Sequence, residues 1–237
     1  MMSTQKRTFF FLALLIFAAS LFAQQRKLQH QPYADQRMYH FGFTLGLHVQ
    51  DLILTQSGFV NENGEVWFSE IPSYSPGFNV GLIGDVYLSR YVNLRAVPTL
   101  YLGSKSFVFR EQTSGAEFKT SIKNNYLYVP VQLKMAAGRV NNYKPYVLIG
   151  GYGSVELASR KEKAVLLKPV DYGVEIGFGC DFYLPLFKLS PELKFCFGLA
   201  DVLQTNRTDL KDEELMKYAK SLSGAKQRMI VLSFNFE

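Results

Sequence analysis

Polar and apolar positions alternate most strictly between Asp171 and Leu184. Odd positions there are Gly, acidic or Tyr, and even positions are apolar: Tyr172, Val174, Ile176, Phe178, Cys180, Phe182 and Leu184. Successive side chains of a β-strand point to opposite faces, so this period of two predicts a strand with one apolar and one polar face. A single strand of this kind fits a soluble sheet as well as a membrane barrel, and repetition along the chain distinguishes the two.

The same alternation recurs along the chain and predicts about eight strands: Met38–Gln50, Gly77–Leu88, Val92–Leu102, Tyr126–Met135, Pro145–Leu157, Asp171–Leu184, Leu189–Leu199 and Ile230–Phe236. Long polar loops alternate with short turns, and the long loops are 51–73, 104–123, 158–168 and 201–224. An even strand number with this loop asymmetry is typical of outer-membrane barrels. The predicted fold is therefore all-β, a single antiparallel transmembrane barrel with its termini and short turns in the periplasm and its long loops outside.

A soluble lipocalin-like barrel is the alternative. Its outward faces would then form an apolar patch far larger than soluble proteins expose, which favours the membrane barrel. Two local features are predicted within the long loops. Asn63-Gly64 favours a small hairpin, and apolar residues at helical spacing favour a short amphipathic helix over Asp209–Ser221 that covers the mouth or docks a partner.

The first 23 residues have the charged start, apolar run and small terminal residue of a secretory signal, and we expect cleavage after Ala23. A retained anchor is the alternative, but the apolar run is short for a membrane helix. Residues 24–37 are predicted to be an exposed periplasmic tail, and residues 38–237 the barrel. Removing Lys6 and Arg7 lowers the formal charge from +6 to +4, and without a basic cluster interleaved with aromatics we expect no nucleic-acid partner.

Charged residues fall on the face that the alternation turns into the lumen. A barrel of about eight strands has an interior just wide enough for side chains, so these charges must pair or bear a large desolvation cost. We expect a plugging ion-pair network and no steady conduction; its members are Asp85, Arg95, Lys134, Glu175, Asp181, Glu192 and Lys194, with Asp171 nearby. The turn at Ser89-Arg90 places Asp85 beside Arg95. Asp181 and Glu192 are expected to lie close together and to share one cation.

Candidate chemistry is sparse. His48, Ser154 and Glu156 lie toward the outer ends of their strands and hold the residue types of a hydrolase, but no motif joins them. The histidines are scattered and the cysteines lack a ligand spacing, so we expect no metal, no cofactor and no small-molecule substrate. Cys180 and Cys196 are predicted to face opposite sides of the wall, out of disulfide reach. We therefore expect a protein that is not an enzyme, the alternatives being a lipid-modifying barrel or a structural or narrow channel barrel.

Several segments resemble the PorT (SprT) type of outer-membrane β-barrel: Leu94–Pro98, Tyr126–Lys134, Lys144–Gly151, Asp171–Gly177 and Pro191–Phe195. The resemblance covers nearly the whole mature chain, and strands bearing proline are its most specific part. Pro98, Pro130 and Pro191 are predicted to sit at bulges, because proline otherwise avoids strand interiors. The resemblance implies a component of the type IX secretion system, which exports proteins with C-terminal sorting domains and supports gliding motility. The implied partners are outer-membrane lipid and other secretion components.

Overall fold

The computed structural model describes residues 29–61, 64–73, 76–112, 114–157, 165–205 and 213–237. A short 3-10 helix at Ala34–Gln36 precedes ten strands, and one helix, α1 (Glu213–Lys220), precedes the last of them. The strands are β1 (Tyr39–Gln56), β2 (Trp67–Ser73), β3 (Pro76–Ser89), β4 (Val92–Ala96), β5 (Thr99–Glu111), β6 (Glu117–Ala136), β7 (Tyr143–Glu156), β8 (Val170–Tyr183), β9 (Lys188–Gly198) and β10 (Leu222–Phe236).

The sheet closes on itself because β1 pairs with both β3 and β10. All pairings are antiparallel, and they run from β10 through β9, β8, β7 and β6 to β4 and β5, which pair with β3. β4 and β5 form one interrupted stave, while β2 pairs with the outer part of β5. The ring therefore has eight staves, which confirms the predicted fold class.

The register fixes the width of the barrel. Following paired residues once around the ring starts at His40 on β1 and returns to the same strand at Gln50, ten residues further along; the intermediate positions are Asp85, Arg95, Gln132, Gly150, Glu175, Cys196 and Met229. This stagger tilts the strands, and eight tilted strands leave an interior that side chains can fill.

The two faces of the wall match the predicted alternation. On β8, Val174, Ile176 and Phe178 are 45%, 53% and 54% exposed, whereas Glu175 between them is 1% exposed. Comparable apolar exposure recurs around the ring, for example at Leu82 and Val131. The outward face is thus the one that lipid covers, and the polar face lines the lumen.

The bulges predicted at the prolines are wrong. Val97 and Pro98 separate β4 from β5, yet the register onto β6 is the same on both sides of this break, so that Pro130 stands opposite Val97. Pro191 likewise faces a short gap in the β8 and β9 pairing without a change of register. Because proline has no N–H to donate, each ladder omits bonds there instead of inserting a residue.

The predicted strands are too short at their outer ends. Within the predicted loop 104–123, β5 and β6 stay paired from Ser104 opposite Lys123 to Arg110 opposite Glu117. β1 and β10 likewise extend to Gln56 and Leu222. A Val60–Val66 bridge and the N–H of Gly64 donating to the carbonyl of Asn61 form the turn expected near Asn63-Gly64, with Asn63 itself outside the described residues. α1 falls inside the predicted helix, and residues 206–212 lie outside the description.

The predicted signal peptide falls entirely on residues that the structure does not describe. In the described part of the chain, no helix combines the length and apolarity of a membrane span. Cys196 is buried and lies opposite Glu175, and Cys180 is partly exposed five residues further along β8. Both thiols are free, as the predicted register requires.

Candidate functional site: the filled lumen

Arg95 lies at the centre of the charged lumen. β4 holds it directly opposite Asp85 on β3, and its side chain is fully buried. The guanidinium contacts three carboxylates, with Nε 3.1 Å from Asp85, Nη1 3.4 Å from Glu192 and Nη2 2.8 Å from Glu237. A planar group with five donors suits such a convergence, because it can satisfy several acceptors at once.

A second group of charges lies beside the first. Lys134 Nζ is 2.9 and 2.8 Å from the two oxygens of Asp181, and Ser190 donates to the same carboxylate at 2.6 Å. Lys188 lies 2.5 Å from Glu237 and so extends the group around Arg95. We call the two groups together the ion-pair plug; it consists of Asp85, Arg95, Lys134, Asp181, Lys188, Glu192, Lys194 and Glu237.

Asp181 and Glu192 were expected to share one cation, but each pairs with a different one. Asp181 pairs with Lys134, whereas Glu192 pairs with Arg95 and with Lys194 at 3.4 Å. Asp181 thus has Lys134 as its own cation, whereas Glu192 shares Arg95 with Asp85 and Glu237.

Glu175 has a different environment from the other six predicted residues. Its carboxylate accepts hydrogen bonds from Tyr128 at 2.7 Å and from Gln132 Nε2 at 2.6 Å, and it takes part in none of the ion pairs of the described residues. Hydrogen bonds from neutral donors can stabilise a buried carboxylate, and here they replace an ion pair.

Sequence reasoning missed Lys188 and Glu237. The signal was available, because Lys188 has the same parity as the inward residues of β9, and Glu237 has the parity of inward Asn235 on β10. It also missed Tyr146, whose hydroxyl donates to Glu192 at 2.9 Å and whose ring lies 4.0 Å from Lys134 Nζ. Gly179 makes room for this ring, since a Cβ there would lie 2.5 Å from the Tyr146 hydroxyl.

The N-terminal tail was expected to be exposed, but its described residues form hydrogen bonds with the barrel. Arg139 in the turn between β6 and β7 donates to the carbonyls of His30 and Gln31, the latter at 3.0 Å. Asp35 accepts from Lys144 at 3.0 Å and from Tyr183 at 2.5 Å. Partial burial tends to raise the pKa of Asp35, but these hydrogen bonds and the nearby cations hold it below its ordinary value. The tail is thereby held against the periplasmic turns.

An apolar cluster closes the opposite end of the lumen. It is built from the strand extensions, the loops and α1, and we call it the apolar cap; its buried members are Leu52, Trp67, Phe107, Phe109, Val165, Leu167, Val202, Leu203, Tyr218, Leu222 and Ala225. Tyr218 of α1 stacks on Phe118 at 4.2 Å and meets Trp67 edge-on at 4.8 Å. Because Tyr218 faces this cluster, α1 covers the mouth of the barrel.

Polar groups between the plug and the cap are less completely paired. His48 packs edge-on against Tyr101 at 4.9 Å, and no hydrogen bond of the described residues joins it to Ser154 or Glu156. Several buried atoms of this zone find no hydrogen-bond partner in the described chain: His48 Nδ1, Asn79 Oδ1, Tyr101 OH, Lys105 Nζ, Tyr126 OH, Ser154 Oγ and Asp171 Oδ1. Within those same residues, no group of His, Cys, Asp and Glu has the arrangement needed to hold a metal ion.

A closed ring of eight antiparallel staves, apolar outside and polar inside, defines an outer-membrane β-barrel. Residues 22–204 match the family model described as outer membrane protein beta-barrel domain. The chain belongs to this family, and its location is the outer membrane.

Several solved outer-membrane protein structures are similar to this one, although their sequences are only distantly similar to that of this chain. The outer membrane protein OprG from Pseudomonas aeruginosa is 11% identical over 85% of this chain and 96% of its own, with a TM-score of 0.47. Ail from Yersinia pestis, solved with the heparin analogue sucrose octasulfate, is 12% identical over 84% and 99%, with a TM-score of 0.37. AlkL, solved in lipid bilayers, is 9% identical over 91% and 94%, with a TM-score of 0.39. No curated protein matches the chain.

Proposed function

We propose that this barrel is a non-catalytic component of the type IX secretion system, of the PorT type, and that it acts through its surfaces. The observation that carries this proposal is the filled lumen. The ion-pair plug occupies the periplasmic half and the apolar cap covers the outer mouth, so side chains of the described residues fill both ends of the lumen. The loops, the periplasmic turns and the held tail are then the parts available to partners.

The segments that resemble PorT-type barrels support the same proposal. They fall on adjacent staves, β4, β6, β7, β8 and β9. They also carry much of the polar interior, including Arg95, Lys134, Glu192 and Lys194 of the plug and Glu175 beside it. The sequence features of the resemblance therefore include four of the eight plug residues.

A barrel enzyme acting on lipid is the competing proposal. It would use His48, Ser154 and Glu156 near the outer end of the lumen. Ser154 Oγ and His48 Nδ1 have no hydrogen-bond partner among the described residues, and a nucleophile and its base need to lie within hydrogen-bond reach. This geometry favours the non-catalytic proposal.

The deciding experiment is deletion of the gene, followed by a census of proteins with C-terminal sorting domains in the medium and the periplasm. We expect those proteins to accumulate in the periplasm of the deletion strain. Wild type and the His48→Ala, Glu156→Ala double variant should restore export equally. Normal export in the deletion strain would contradict the secretion proposal, and rescue by wild type alone would favour the enzyme, provided that the double variant reaches the outer membrane in equal amount.

A further inference from the structure

The outward face of the barrel becomes more polar near its outer rim, where β9, β10, β1 and β2 meet. Two adjoining grooves meet there, with volumes of about 270 and 360 Å³, and both are lined by Asp51 and Arg228. The groove nearer the membrane centre is otherwise apolar, with walls from Val49, Phe195, Phe197, Met229 and Ile230. The groove further out includes polar Gln56 and Ser69. Together the two grooves form one continuous surface groove with an apolar part and a polar part, which we call the rim groove.

The position of the cations follows from the strand pattern of β10. Its outward residues are apolar at Phe234, Leu232 and Ile230, and the next two outward positions are Arg228 and Lys226. The lipid-facing belt therefore ends at Arg228. Basic side chains at this level lie where lipid headgroups begin, while their stems cover apolar surface.

Of the two carboxylates near these cations, Asp51 is buried and Asp201 is exposed, and both accept backbone N–H groups of the protein. Asp51 is buried, accepts the N–H of Leu52 at 2.8 Å and pairs with Arg228, whose side chain nevertheless stays 46% exposed. Asp201, near Lys226, accepts the N–H groups of Leu203 and Ala225 at 3.1 and 2.9 Å. Burial tends to raise the pKa of Asp201, but these bonds and the neighbouring lysines hold it low. The exposed side chains of the patch are then the cations Arg228, Lys226 and Lys168, against the exposed carboxylate of Asp201, and Lys168 donates to the Asp201 carbonyl.

We propose that this groove is a binding site for a phosphorylated lipid of the outer leaflet. A phosphate lies against Arg228 and Lys226, and an acyl chain lies in the apolar groove below. Guanidinium groups bind phosphate oxygens through paired, charge-assisted hydrogen bonds. Only an amphiphile places an anion and a hydrocarbon chain in adjacent parts of one groove that is continuous with the lipid-facing belt. This site is independent of the secretion role.

The test is a titration of the purified full-length barrel in neutral detergent with bis-phosphorylated lipid A, read by native mass spectrometry. A dephosphorylated lipid A with the same acyl chains is the matched ligand. We expect one tightly retained phosphorylated lipid per barrel and binding at least about tenfold weaker for the dephosphorylated form, as expected for loss of charge-assisted contacts. Equal binding of the two lipids would overturn the proposal. So would displacement of the lipid by inorganic phosphate at equal concentration.

Variants locate the site on the barrel. Lys226→Gln removes an exposed charge, and the Asp51→Asn, Arg228→Gln pair removes the cation without leaving Asp51 buried as a lone charge. Both should lower affinity for the phosphorylated lipid by about tenfold. Lys123→Gln is the control, because Lys123 is exposed on β6, diametrically opposite β10 in the ring. An equal loss in this control would overturn the proposal, since binding would then follow overall charge.

Discussion

The apolar cap and the ion-pair plug fill two ends of the same barrel with different chemistry and from different parts of the chain. The cap joins side chains from the strand extensions, the loops and α1, such as Trp67, Phe107 and Tyr218. The plug is built almost entirely from strand positions in the wall, and Arg95 alone contacts three carboxylates there. The cap depends on hydrophobic burial and can loosen locally, whereas the plug cannot open without leaving buried charges unpaired.

This difference indicates that the plug closes the barrel permanently, whereas the cap can open. Residues of the plug are held by a ladder of backbone hydrogen bonds on each side, so moving one of them requires moving the wall. Segments of the cap are connected to the wall through loops, and elements of that kind open at lower free energy than core strands. We therefore expect the cap to respond to partners and the plug to stay shut.

The largest effect is expected from breaking the plug. Arg95→Ala removes one cation and leaves Asp85, Glu192 and Glu237 without it, which should lower the free energy of unfolding by about 3–5 kcal/mol or prevent assembly. Urea unfolding of the refolded barrel in detergent micelles measures this change. Arg110→Ala is the control, because the Arg110–Glu117 pair is exposed to solvent, where an ion pair contributes little to stability. Equal losses in the two variants would contradict the account of the plug.

The next largest effect is expected from a charge placed on the lipid-facing side of the barrel wall. Ile176 is 53% exposed at the middle of β8, on the face assigned to lipid. Ile176→Arg should destabilise the barrel by about 2–4 kcal/mol, because charge at the middle of the membrane is costly on this face. Refolding into lipid vesicles, followed by urea titration, measures the loss against Ile176→Val. If the Arg variant refolds as well as the Val variant, the assigned face is wrong.

A smaller and more local effect is expected from the cap. Tyr218→Ala removes the ring that packs on Phe118 and Trp67, so α1 should detach while the barrel stays folded. Limited proteolysis between 201 and 222 should accelerate by about tenfold or more, the equivalent of about 1.4 kcal/mol of local stability. Tyr218→Phe keeps the packing and should behave like wild type. Unfolding of the whole barrel in Tyr218→Ala would remove the distinction between cap and wall.

The smallest effect is expected at the periplasmic tail. Because the pKa of Asp35 is lowered in the folded state, its contribution is fully present above the ordinary aspartate pKa of about 4 and is lost as the pH falls through the lower folded value. Amide chemical shifts of residues 29–37 in micelles should therefore change on acidification. In Asp35→Asn this transition should be absent, with less than about 1 kcal/mol lost at neutral pH. The same acid transition in the Asn variant would show that another group controls the tail.

Sequence alone predicted the wall and most of the plug. Strict alternation fixes which residues face the lumen, and the tight turn at Ser89-Arg90 fixes the register that brings Asp85 to Arg95. Partner choice further around the ring was not predictable. Lys134 meets Asp181 across the lumen, which depends on the stagger of ten residues and not on adjacency along the chain.

The cap was largely invisible to the same reasoning. Phe107 and Phe109 alternate on β5 beyond the membrane belt, in a segment whose serines and lysines are typical of a loop. Their burial arises because Trp67, Val202 and α1 converge on them from distant parts of the chain. The bulges predicted at the prolines were wrong for a related reason. A gap in strand pairing, such as the one at Pro130 opposite Val97, can be predicted only when both neighbouring strands are known.

The central claim is that the lumen is closed, and conductance tests it most directly. Purified protein in planar lipid bilayers should show no steady ohmic current, because the ion-pair plug fills the periplasmic half of a ring only eight staves wide. Tyr218→Ala should remain silent as well, since it loosens the cap alone. A large, reproducible conductance of the wild-type protein would contradict the claim and would identify the barrel as a channel.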